Sequence, residues 1–199
     1  MALEVILGFS DGYNTVSDNF YVYQNGLNAE QFVYIPSDVD ISLGSTFVKL
    51  SDMTSGDYRT FPGLLEQPLT KQFLRVPQYK ERFEQILVEL VSALVNPKIL
   101  NQTIDDLAAM ITEDVIWDKS LPRLGKTEID ILGNLTSNIS GNTSSFMKFV
   151  DAETAKDAAK RKPIPFEVAV NGPTGYISLT GVKEFVADSS SAILSFFNN

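Results

Sequence analysis

The residues best equipped for chemistry are Asp11, Asn19, Asp38 and Asp40, within the run "FSDGYNTVSDNFYVYQNGLNAEQFVYIPSDVDISLG". The chain has no His and no Cys. The commonest general base, the commonest transition-metal ligand and every thiol reaction are therefore excluded. What remains is carboxylate and amide oxygen. Such donors orient a hydroxyl nucleophile, and they hold hard cations such as Mg²⁺ or Mn²⁺. The pattern carboxylate, amide, strand, turn, strand, carboxylate suits phosphoryl transfer, which asks a protein for positioning and charge rather than covalent chemistry. Taken alone, period and composition favour ordinary acidic turns at the ends of a hairpin.

The elements that would position these side chains are two short strands. Phe20 to Tyr23 is aromatic and β-branched, and Gln31 to Ile35 repeats that character before Pro36 ends it. "QNGLNAE" between them is turn chemistry. An antiparallel return brings Asn19 and Asp38 to one end of the hairpin. Phe47 to Leu50 reads as a further short strand, followed by a loop.

Helices should dominate the rest. "PLTKQFLR" opens on Pro68, and Val76 before Pro77 marks a break. Tyr79, Phe83, Ile86, Leu87, Leu90, Val91 and Leu94 then recur at helical spacing. Asn96-Pro97 reads as a stop, and Thr103 with Asp106 as a capping box opening a further helix with Ile104, Leu107, Ala108 and Ile111 inside. Val115 and Trp117 continue its apolar packing. A short helix is expected around "DAETAKDAAKRK", with Lys156, Lys160, Arg161 and Lys162 as its solvated end. Thr180 is placed to cap a closing helix carrying Val182, Phe185, Val186, Ser189, Ile193, Phe196 and Phe197 on one face. Leu87, Leu90, Ile104, Leu107, Trp117, Phe185 and Ile193 are expected to share one core. The fold class is α+β, mostly α. It divides into a catalytic-loop and hairpin segment 1–60, a helical core 61–118, an irregular insertion 119–175 and a closing helix 176–199, all in one domain.

The chain has 199 residues, 44% of them hydrophobic, and a formal net charge of −9. An acidic surface repels phosphate backbones, so nucleic acid is not an expected partner. The most apolar run, "ILVELVSALV", is short and interrupted by Glu89, too little to span a bilayer. "MALEVILGF" has no basic leader and carries Glu4 within its apolar run, unlike a signal peptide. It reads as the tail of an element begun elsewhere, with residues missing before it. Sequons at Asn101, Asn134, Asn138 and Asn142 are glycosylation candidates and tilt the parent protein toward the extracellular space or cell surface, whereas the lack of Cys tilts it away.

"DGYN…DNFYVYQN…QFVYIPSDVDISLG" resembles the C-terminal lobe of the spore-coat protein H (CotH) kinase family. That family carries a pattern like "DG…NYYLY…KFYFIPWDFDxTFG". The similarity extends into "PLTKQFLRVPQYKERFEQIL", "ITEDVIWDKSL" and "GVKEFVADSSSAI", and the fungal surface branch is the nearest in pattern. Ser37 stands where the family commonly has Trp, and "ISLG" replaces an aromatic-rich ending. The resemblance implies a kinase-like C-terminal lobe, with Asp11 as catalytic acid/base and Asn19, Asp38 and Asp40 as metal ligands. It further implies Mg²⁺ or Mn²⁺ with ATP, and a Ser-containing protein as acceptor. A kinase also needs a glycine-rich loop and a phosphate-pairing Lys. Neither can come from the ten residues before Asp11, so the N-terminal lobe is expected to be absent and the nucleotide site incomplete. The alternative from the same family is a non-catalytic surface or adhesion module that meets a host or cell-surface receptor.

Overall fold

The computed structural model describes residues 1–26, 31–122 and 148–198. The fold is mostly helical, with a single antiparallel hairpin among the described residues. In chain order come α1 (Ala2–Leu7), α2 (Tyr13–Val16), β1 (Phe20–Gln24), β2 (Phe32–Pro36), α3 (Leu50–Met53), a 3₁₀ turn (Tyr58–Thr60), α4 (Pro68–Phe73), α5 (Pro77–Ala93), α6 (Pro97–Ser120), α7 (Ala152–Lys160), α8 (Phe166–Asn171) and α9 (Val182–Asn198). The hairpin pairs Phe20 with Pro36 and Gln24 with Phe32, so Asn19 and Ser37 meet at its open base.

The core is built where α5, α9 and α1 meet. Phe83, Leu87 and Val91 are spaced four apart and form one buried line down α5. Phe185, Val186, Ser189, Ser190 and Ile193 form the buried face of α9, as their spacing predicts. Val5 and Ile6 of α1 complete the contact, and the Ser189 hydroxyl donates to the Ile6 carbonyl at 3.0 Å. Phe196 and Phe197 cover Tyr58, whose ring lies parallel to that of Phe197. Tyr79 and Leu94, expected on the buried face of α5, are exposed. The packed line on that helix is narrower than its apolar arc.

The region after α5 departs most from expectation. Asn96-Pro97 starts a helix instead of stopping one. The Asn96 side chain accepts from the Ile99 N–H at 3.2 Å, and Pro97 takes the first helical position. Thr103 and Asp106 therefore lie inside α6, not at its cap. Twenty-four residues at 1.5 Å each make a rod of about 36 Å. It packs beside α8 and α9 and buries no residue fully. Leu107 is 52% exposed and Trp117 65%, so neither belongs to the core, and Ile104 is only half-buried. Trp117→Ala is accordingly expected to change stability by less than about 0.5 kcal/mol. A thermal-denaturation loss as large as that of a core truncation would contradict this placement.

Elsewhere single contacts decide the local structure. Phe47 to Leu50 forms no strand; Val48 makes one isolated bridge to Val150, and α3 begins at Leu50. Thr180 does not cap α9. The Gly181 N–H donates to Glu184 Oε2 at 3.2 Å, a carboxylate reaching back from the first turn. The short helix around residue 155 is present, capped by Asp151, whose carboxylate takes the Thr154 N–H at 2.8 Å. α8 is an addition that the Pro-rich sequence around it concealed.

Candidate functional site

α1 ends at Gly8, whose φ of 61° lets the Gly8 and Phe9 N–H groups turn back onto the Val5 and Glu4 carbonyls. The chain then runs out through Ser10 to Asp11. The Ser10 N–H donates to the Ile41 carbonyl at 3.0 Å, and the Leu43 N–H to the Leu7 carbonyl at 2.8 Å. The segment carrying Asp38 and Asp40 is thereby laced beside the segment carrying Asp11. At the hairpin base the Ser37 N–H donates to the Asn19 carbonyl at 2.8 Å. Asn19 Nδ2 reaches Asp11 Oδ2 at 2.9 Å.

Asp11 and Asn19 touch, and Asp38 and Asp40 lie on backbone tied to both segments. Asp38 and Asp40 are exposed, while Asp11 and Asn19 are half-buried. Asn19 has φ 51° and Asp38 also φ 51°. Asn and Asp tolerate this left-handed region better than other side chains, which suits them to the two positions where the chain enters and leaves the hairpin. Ser17 and Leu43 share it, so every non-glycine residue of positive φ among those described lies between positions 17 and 43. Backbone strain of this kind gathers at functional sites.

Burial pushes the Asp11 carboxyl up to about 7, and the negative charges of Asp40, Asp38 and Asp18 add to the effect against the opposing Asp11 backbone N–H. Its Oδ1 is buried without a hydrogen-bond partner. Between the ordinary value of 3.8 and about 7, the folded protein keeps a proton that the unfolded chain has released. The stabilisation from this group is therefore complete below the lower value and is lost as pH rises through the upper one. Asp11→Asn should raise stability by about 1 kcal/mol at about pH 8, discounted for partial exposure, and change nothing at about pH 4. Paired melting curves whose difference does not grow with pH would contradict this.

An orphaned carboxylate oxygen and a set of mutually repelling acids suit a hard divalent cation, and the available donors are all oxygen. No three Asp or Glu side chains among the described residues converge into a ready-made cage. The arrangement is an open acidic edge. A cavity of about 380 Å³ lies elsewhere, lined by Lys49, Asp52, Arg59, Glu66, Lys148 and Asp151 among others, and none of the four candidates borders it.

Of the sequon residues, Asn101 sits within α6 with its amide oxygen buried and unpartnered. Asn134, Asn138 and Asn142 lie outside the described residues. Two residues at the site went unrecognised in the sequence. Glu4 is buried beneath it, and Tyr34 of β2 donates a hydrogen bond from its hydroxyl to Glu4 Oε1. The only sequence signal was an acid standing inside the apolar run of α1.

The described residues thus form a helical body that holds a short hairpin with acids at its base. The family described as CotH kinase protein matches residues 1–146, and the chain belongs to that family. No curated protein and no solved structure matches it.

Proposed function

We propose that the acidic edge is the phosphoryl-transfer half of an atypical, CotH-type protein kinase site, corresponding to the C-terminal lobe. The observation that carries this reading is the Asn19–Asp11 hydrogen bond at the base of the hairpin, with Asp38 and Asp40 on the adjoining backbone. Asp11 is the base. A carboxylate titrating near neutrality can take a proton from an acceptor Ser hydroxyl and return it to solvent. Asn19 orients that carboxylate through its amide N–H and leaves its amide oxygen as a further cation donor. Asp38 and Asp40 would hold Mg²⁺ or Mn²⁺, which when bound neutralises charge on the phosphates of ATP. On this reading a glycine-rich loop and a phosphate-pairing lysine would complete the nucleotide site. The segments 1–60, 61–118, 119–175 and 176–199 remain its working division, with the third as the glycosylatable insertion. The hairpin motif and the sequon cluster are what support reading the parent as a member of the fungal surface branch, exposed outside the cell. Glycan occupancy at Asn134, Asn138 and Asn142 checks that assignment.

Calorimetric titration tests the cation reading. Mn²⁺ should bind weakly alone and more tightly when ATP is present, because phosphate oxygens complete its shell. No effect of ATP on Mn²⁺ binding would contradict the proposal.

A further inference from the structure

Glu4 is 3% exposed, yet it stands among Val5 and Ile6 in a helix whose packing needs no charge. A buried carboxylate is costly unless its oxygens are satisfied. Both are. Oε2 accepts the Asn14 N–H at 3.0 Å, and Oε1 accepts the Tyr34 hydroxyl. The Met1 amino group stands 3.9 Å from Oε1. The two hydrogen-bond donors belong to the two elements that carry the acidic edge. Asn14 lies in α2, between Asp11 and Asn19. Tyr34 lies in β2, which runs on to Asp38.

Further contacts close the same unit. A Cβ added at Gly12, the residue after Asp11, would stand 2.9 Å from Glu4 Oε2 and 2.5 Å from the Phe9 ring, so the turn at Asp11 is pressed against Glu4. The Tyr34 ring stacks on Phe20 at 5.7 Å, and Tyr13 meets Phe20 edge-on at 5.0 Å. Phe20 directly follows Asn19. The hairpin has few other anchors: Tyr21, Val22, Tyr23, Phe32, Val33 and Ile35 are all exposed, and an isolated two-stranded hairpin is marginal in water.

We propose that Glu4 is the positioning residue of the acidic edge, locking α2 to β2 so that the Asp11–Asn19 pair and the Asp38–Asp40 segment hold a fixed separation. The inference rests on the reading of that edge as a cation-dependent site, but its mechanical part can be measured separately. Glu4→Gln can keep the lock, because the Gln carbonyl accepts from Asn14 while its NH₂ donates to the Tyr34 oxygen. Glu4→Ala cannot, and neither can Glu4→Gln combined with Tyr34→Phe, which leaves the NH₂ without its acceptor.

Amide hydrogen exchange on the full chain reads the lock directly. In Glu4→Ala, the Asn14 and Ser37 amides and those of β1 and β2 should accelerate at least about tenfold more than those of α5 and α9. Glu4→Gln should stay within about threefold of the parent, and adding Tyr34→Phe should release the hairpin. Equal acceleration everywhere, or none at the hairpin, would overturn the proposal. If Glu4→Ala does not fold, the Gln variant and its Tyr34→Phe double decide the matter by the same comparison. A second arm measures Mn²⁺ affinity, which should fall where the hairpin loosens and persist in Glu4→Gln. Unchanged Mn²⁺ affinity in a loosened hairpin would refute the positioning role and leave the function reading intact. No Mn²⁺ binding by the parent protein would refute the function reading and leave the exchange result to judge the lock.

Discussion

Leu87→Ala is expected to cost about 2–5 kcal/mol of folding stability, the range found for removing a large aliphatic side chain from a close-packed core. Leu87 is fully buried at the centre of the α5 line, between Phe83 and Val91, in the same cluster as Val5, Ile6 and Ile193. Helices on both sides are anchored by other contacts, so the cavity cannot collapse freely, and the upper part of the range is the better expectation. The Leu90 side chain is only half-buried against this cluster and should cost less. Urea denaturation of both variants provides the comparison. A Leu87→Ala loss below that of Leu90→Ala would mean that the core lies elsewhere.

The largest functional effect is expected at Asp38. Removing its carboxylate from a site with no closed cage leaves Asp40 as the main charged ligand. Affinity for Mn²⁺ should then fall by at least about tenfold, or about 1.4 kcal/mol. Asp38 also occupies the left-handed region, where Ala is less tolerated than Asp. Asp38→Asn controls for this, since Asn accepts the same backbone and loses only the charge. Both variants should bind Mn²⁺ weakly. Loss in Asp38→Ala alone would assign the effect to backbone geometry.

The sequence revealed those parts of the molecule whose signals are local. The hairpin was legible because aromatic and β-branched runs flank Asn-Gly turn chemistry, and the meeting of Asn19 with Ser37 at one end because antiparallel strands return to their starting edge. α9 was legible because its apolar spacing is uninterrupted. α6 was misread because two local signals competed. Asn96-Pro97 serves equally as a stop or as an N-cap with Pro at the first position, and Thr103 with Asp106 imitates a cap inside a helix. Only tertiary packing decided that its apolar residues would stay largely outside the core. Glu4 was invisible for a different reason. Its partners Asn14 and Tyr34 are 10 and 30 residues away, and no periodicity links them.

A divalent cation has two acidic surfaces on which it could first bind. α6 offers a rival, since Asp105, Asp106, Glu113, Asp114 and Asp118 line an exposed helix and could attract Mn²⁺ without any site. Paramagnetic broadening of amide signals during a Mn²⁺ titration separates the two. The acidic edge predicts that Asp11, Asn19, Asp38 and Asp40 broaden first, at Mn²⁺ concentrations that leave α6 sharp, and that ATP strengthens the difference. Broadening that begins along α6, or that spreads evenly over all exposed acids, would contradict it.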